Sequence, residues 1–197
     1  MASSINASTS GAGGVITTAD NTGTLNLQSG GTTIATIDST GLTMASGKVL
    51  APTGPAFSAE RTTTQSFSQN TFTKVLFDNE LFDTNSNYDN TTNYRFTPTV
   101  AGYYHVSGTI TMTSTSTNNR QILAFFKNNS QALRPVDYYI TYGTATAMFS
   151  GSGLIYMNGS TDYVEVFVYV SGAGTLSIVA QGAGELSTFS GFLARAA

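Results

Sequence analysis

Eight consecutive residues, Tyr163-Val164-Glu165-Val166-Phe167-Val168-Tyr169-Val170, alternate valine with a larger side chain. β-Branched and aromatic residues suit a pleated strand, whose side chains point to opposite faces in turn. The stretch therefore dictates a strand with Val164, Val166, Val168 and Val170 on one face and Tyr163, Glu165, Phe167 and Tyr169 on the other. A strand with one solvated side should be polar there. An aromatic second face must be covered, either by another subunit or by a loop of the same chain.

The rest of the chain also favours strands. Its polar residues are mostly Thr, Ser, Asn and Gly, and 11% of its 197 residues are aromatic. Short β-type runs fall at Phe57 to Arg61, Thr71 to Phe77, Tyr94 to Pro98, Gly102 to Thr113, Gln121 to Lys127, Asp137 to Thr141, Ala145 to Met157, Asp162 to Val170, Thr175 to Gln181 and Leu186 to Leu193. Turn residues separate most of them, which predicts an all-β sandwich or jelly roll. There is no cysteine. Stability must then come from packing and from association of copies.

A boundary is visible before these runs, because no aromatic residue precedes Phe57. Within residues 1–50, short runs at Val15 to Thr18, Thr24 to Gln28, Thr33 to Ile37 and Leu42 to Met44 are punctuated by Asn21-Thr22-Gly23, Gly30-Gly31 and Ser39-Thr40-Gly41. Their apolar residues, Leu25, Leu27, Ile34, Ile37, Leu42 and Met44, are too few to offset a backbone ordering cost of roughly 1 to 2 kcal/mol per residue. This β-rich segment is expected to be an attachment element that needs sister chains or a docking surface. Ala51-Pro52-Thr53-Gly54-Pro55 reads as a hinge, since proline removes backbone donors and ends strand pairing. Residues 56–197 then form the globular part. Met1 to Gly14 has neither a basic nor an apolar region, so no secretory signal peptide is expected.

Several motifs resemble a known family. Leu76-Phe77-Asp78-Asn79-Glu80, Phe82-Asp83, Tyr88-Asp89, Phe96-Thr97-Pro98, Gly102-Tyr103-Tyr104-His105-Val106 and the closing Phe189-Ser190-Gly191-Phe192-Leu193 are similar to the globular heads of the first complement component and tumour necrosis factor. The resemblance covers residues 56–197 and implies a ten-strand jelly roll that assembles as a homotrimer. Two departures stand out. Asn93-Tyr94-Arg95 replaces the usual glycine before Phe96, and Val106 stands where the family often has phenylalanine. Tyr104, Tyr163, Phe167, Tyr169, Phe189 and Phe192 are the expected interface residues. The N-terminal runs Thr24 to Gly31 and Ile37 to Met44 also resemble segments of phage fibre and decoration proteins.

Little in the chain points to chemistry. His105 is the sole histidine and lies in a predicted strand, so no Ser/His/Asp arrangement is expected and the protein reads as no enzyme. Asp78, Glu80, Asp83 and Asp89 are the densest acidic group and could ligate calcium, but their spacing matches no defined loop and ordinary turns are favoured. No cofactor is expected. The basic residues are scattered singly and the net charge is −3, which argues against nucleic acid as a partner. No stretch is long enough for membrane insertion. The sequons at Asn6, Asn90, Asn128 and Asn158 are accounted for by a Thr- and Asn-rich composition. Tyr138 to Gly143 could stack on sugars, although packing within the trimer is the favoured role.

These readings converge on a virion surface. The leading expectation is a homotrimeric capsid decoration (cement or head fibre) protein of a bacteriophage, fastened by its N-terminus to the major capsid protein or another virion protein. A short tail fibre or receptor-binding knob that recognises host surface glycans, and a soluble complement-like ligand-binding module, stand as alternatives.

Overall fold

The computed structural model describes residues 3–7, 15–18, 21–46, 54–115, 118–142, 145–180 and 187–197. Ala51, Pro52 and Thr53 of the expected hinge, Gly143 of the tyrosine run, and Gln181 and Leu186 at two expected strand ends lie outside these residues. The chain divides into two compact units, Met1–Thr53 and Gly54–Ala197.

The first unit is one five-stranded sheet. Its strands are β1 (Ser3–Ala7), β2 (Val15–Thr18), β3 (Leu25–Ser29), β4 (Thr32–Asp38) and β5 (Gly41–Met44), in the order β2-β1-β3-β4-β5. β1 runs parallel to β3 and the remaining pairs are antiparallel. Gly30 and Gly31 close the β3–β4 hairpin with φ of 58° and 77°. Two left-handed residues match the natural twist of paired strands, and glycine adopts that conformation without steric cost. Register places Leu25 opposite Ile37 and Leu27 opposite Ala35, then Ile37 opposite Leu42 and Ala35 opposite Met44. These residues share one face. Thr36 donates to Asn26 on the other, at 2.9 Å.

The second unit is a sandwich of two antiparallel sheets. Its first strands are β6 (Ala56–Glu60), β7 (Gln65–Phe67), β8 (Thr73–Lys74), β9 (Asn79–Asp83), β10 (Tyr88–Asp89) and β11 (Arg95–Phe96). Longer ones follow: β12 (Ala101–Ser114), β13 (Asn118–Lys127), β14 (Ser130–Tyr142), β15 (Ala145–Asn158) and β16 (Val164–Gly172). β17 (Leu176–Ile178) and β18 (Thr188–Ala196) close the unit. One sheet has the order β10-β11-β16-β13-β14, with β8 also on β16; the other runs β7-β17-β12-β18-β6-β9, with β15 on the remaining edge of β12. This is the expected all-β jelly roll.

Val164, Val166, Val168 and Val170 all point into the core, as their alternation requires. Phe57 stacks on Phe96 and Tyr88, with ring centroids 4.2 and 5.0 Å apart, and meets Phe189 edge-on at 4.8 Å. Buried phenols need hydrogen-bond partners. Tyr104 donates to the Val100 carbonyl at 2.8 Å and Tyr88 to that of Phe77 at 3.1 Å.

The structure corrects several sequence-based boundaries. β14 starts at Ser130, not Asp137, because Asn128 and Asn129 take left-handed φ of 52° and 65° and close a two-residue hairpin. Pro135 is accommodated where the β13–β14 register shifts between Leu123 and Phe125, a bulge that spares the missing donor. Asn79 to Asp83, read as a loop, is a strand paired with β6.

Candidate functional site

The aromatic face of β16 is covered from within the chain. Phe72 lies 5.3 Å from Tyr169 and 5.4 Å from Phe126, whose ring in turn packs on Phe167 at 4.1 Å. The Arg95 guanidinium sits 4.1 Å over Tyr163. Lys74 pairs with Glu165 at 3.0 Å and donates to the Asn93 carbonyl. Tyr163, Phe167 and Tyr169 are consequently half-buried by their own chain, the covering loop being the one that carries Phe72.

The uncovered apolar surface lies on the opposite sheet. β12 and β15 pair along their whole lengths, and neither strand contains a charged residue. Outward from this ladder point Tyr103 and His105 of β12, then Leu154 and Tyr156 of β15. Phe192 extends the surface on β18 and Phe82 on β9. Phe82, Tyr103, Leu154, Tyr156 and Phe192 expose between 43% and 57% of their surface, far more than large apolar side chains on a finished monomer should. Tyr103 and Tyr156 meet edge to face with centroids 5.5 Å apart, and His105 lies 5.3 Å from Phe192. Phe57, Ser58, Phe82, His105, Ser190 and Phe192 line a shallow depression of about 440 Å³ on this face. Such a surface offers area for association.

The sequence-expected interface residues divide accordingly. Phe192 is on this face. Tyr104 and Phe189 are fully enclosed by their own chain, because alternation along β12 turns Tyr104 inward with Val106 and because Phe189 packs among Phe57, Phe77 and Phe125. Neither is available to a partner. Tyr103, Leu154 and Tyr156, missed from sequence, could have been found by continuing the inward parity of Val106, Ile110 and Met112 back to Tyr104.

In the N-terminal unit Leu25, Leu27, Ile37, Leu42 and Met44 share the face described above, while Ile34 falls at the register shift between the pairs Leu27–Ala35 and Gln28–Thr33. Ile37 and Leu42 are exposed.

Three of the four acidic candidates are engaged by neighbouring amides and side chains. Asp78 accepts from Thr62, Thr63 and Arg61; burial opposes its ionisation, but these contacts prevail and lower its pKa. Asp83 accepts from the amides of Asn85 and Tyr88. The Thr92 amide, with those of Thr91 and Asn93, holds Asp89 well below the usual carboxylate range. Glu80 is exposed on β9. Among the described residues no three His, Asp or Glu side chains converge on a metal position.

Comparison with known proteins agrees with the jelly-roll geometry. The C1q domain family matches residues 56–194. The chain is similar to the Eiger tumour necrosis factor of S. frugiperda, at 11% identity over 73% of this chain and 94% of that one, with a TM-score of 0.53. PRD1 vertex protein P5 shows 16% identity over 72% of this chain and 97% of its own, with a TM-score of 0.46. For murine APRIL the values are 14%, 71%, 97% and 0.46. No curated protein sequence matches. The resemblance read from the Phe77, Phe96, Gly102 and Phe192 motifs is thus borne out at the level of family and fold.

Proposed function

Because the chain belongs to the C1q domain family through residues 56–194, we propose that it is a non-enzymatic homotrimer on a virion surface, decorating a capsid with an outward jelly-roll knob. Domains of this family self-associate, and they act as binding or structural modules. The observation that carries the reading is the uncharged apolar face built on β12 and β15. A large exposed apolar face of this kind belongs to an interface. A threefold ring closes when one such patch meets a different patch on the next copy.

The sheet of β1 to β5 supports the attachment role. It presents Leu25, Leu27, Ile37, Leu42 and Met44 on one face, and its runs resemble phage fibre and decoration segments. Three linked attachments would multiply a weak contact through effective concentration and bridge neighbouring capsid subunits. The test is to strip the protein from its particles and rebind it. Rebinding should require residues 1–53, and decorated particles should withstand heat better than stripped ones. Unchanged heat resistance with no rebinding would remove the decoration role.

One feature favours receptor recognition as a second reading. Tyr139 is 74% exposed, with the Arg120 guanidinium 5.2 Å from its ring and Arg120 held bidentate by Asp137. A flat aromatic beside fixed donors suits a sugar ring. Glycan binding that is lost in Tyr139→Ala would favour it.

A further inference from the structure

We propose that His105 makes self-association pH-dependent, holding the copies together when neutral and releasing them when charged. The inference rests on the reading that β12 and β15 form the interface between copies. His105 stands in the middle of that face, on the wall of the depression lined by Phe82 and Phe192. Its ring lies against Phe192, and no hydrogen bond or ion pair joins it to any described residue.

The groups around it offer no counter-charge. On β12 its outward neighbours are Tyr103 and Ser107, and on β15 the residue opposite is Leu154, flanked by Tyr156. β18 contributes Phe192 and, beside Tyr103, the cation Arg195. On β6 the carboxylate of Glu60 lies at the far end, opposite Thr188, and accepts from Asn79. On β9, Glu80 is exposed and Asp83 is occupied by the amides of Asn85 and Tyr88. Lys127 of β13 reaches the Tyr156 carbonyl and is itself neutralised by Asp162 at 2.7 Å, so that carboxylate is already engaged.

A neutral imidazole is tolerated in an apolar contact, whereas an unpaired imidazolium is costly to bury there. Histidine gains its proton between pH 8 and 5. The linkage has one sign. Burial between copies favours the neutral form, so association is strongest at the alkaline end of the histidine range and weakens toward its acid end. Symmetry makes every subunit contribute the same penalty.

Sedimentation equilibrium of the full chain tests this at about pH 8 and pH 5, the two ends of the histidine range. The wild type should be assembled at the higher pH and should weaken by roughly tenfold or more per subunit at the lower one. His105→Gln should remain assembled at both, and His105→Lys should be dissociated at both, each with an unchanged circular dichroism spectrum. Equal assembly of the wild type at both pH values, or acid dissociation of His105→Gln in parallel with it, overturns the switch while leaving the interface standing. A wild type that is a single copy at the higher pH overturns the interface, and the switch with it.

Discussion

Phe72 packs against Tyr169 with ring centroids 5.3 Å apart and so closes, from within the chain, the aromatic face that β16 turns away from the core. The same ring touches Phe126 and receives Arg134 at 5.8 Å. One side chain from a loop thereby covers part of the outward face of β16.

Phe72→Ala should cost about 2 to 3 kcal/mol of stability, less than the roughly 3 to 5 kcal/mol for a fully buried aromatic side chain, because the ring is only half-buried. It should leave the association state unchanged. Urea denaturation and light scattering on the same sample separate the two effects, and a variant that loses assembly while folding normally would return the interface to the β16 face.

Lys74 and Glu165 form a 3.0 Å pair in which Glu165 is almost fully buried and its second oxygen has no hydrogen-bond partner. Lys74→Met alone strands the carboxylate and should cost roughly 3 to 5 kcal/mol, whereas adding Glu165→Leu should recover most of it. The double-mutant cycle, read by denaturation, would show a coupling near zero if the pair contributed nothing.

Much of this was legible in the sequence, and what was not has a physical reason. The valine alternation of β16 settled that strand and its inward face, because period-two patterning depends only on neighbouring residues. Tyr103 and Tyr104 were not separated, although inward Val106, Ile110 and Met112 fix the parity; two adjacent aromatics satisfy either face until the strand is read at length. The role of Phe72 was hidden. It acts on Tyr169 across a long sequence separation, and the expected strand Thr71 to Phe77 does not itself show which distant ring Phe72 meets. The replacement of the usual glycine before Phe96 is explained by Tyr94, which takes the left-handed conformation itself with φ of 49°. A side chain there carries a cost of about 1 to 2 kcal/mol that glycine avoids.

Phe189→Ala should be the more damaging core change, since the ring is fully buried and touches Phe57, Phe77, Tyr88 and Phe125. A loss of about 3 to 5 kcal/mol is expected. Thermal unfolding followed by near-ultraviolet circular dichroism would measure it. A loss below about 1 kcal/mol, the level of an ordinary surface change, would place Phe189 outside the core.

Asp89 stabilises the turn before β11 through the amides of Thr92, Thr91 and Asn93. By analogy with a helix cap, Asp89→Ala should cost roughly 1 kcal/mol at neutral pH. Its folded pKa lies below the unfolded value of about 3.9, so its contribution is complete above that pH and fades as pH falls toward the folded value. The stability gap between wild type and variant should therefore narrow in acid. Urea midpoints across this range check the sign.

The most direct measurement is the solution mass of the wild type and of Leu154→Asp at neutral pH. Leu154 is exposed beside His105 and Tyr156 on the uncharged ladder, so an aspartate there should spare the fold and abolish the contact. A wild-type mass three times the 20.6 kDa chain, with Leu154→Asp at one chain, is the predicted result. A folded wild type of one chain mass, or a variant that assembles as the wild type does, would contradict it.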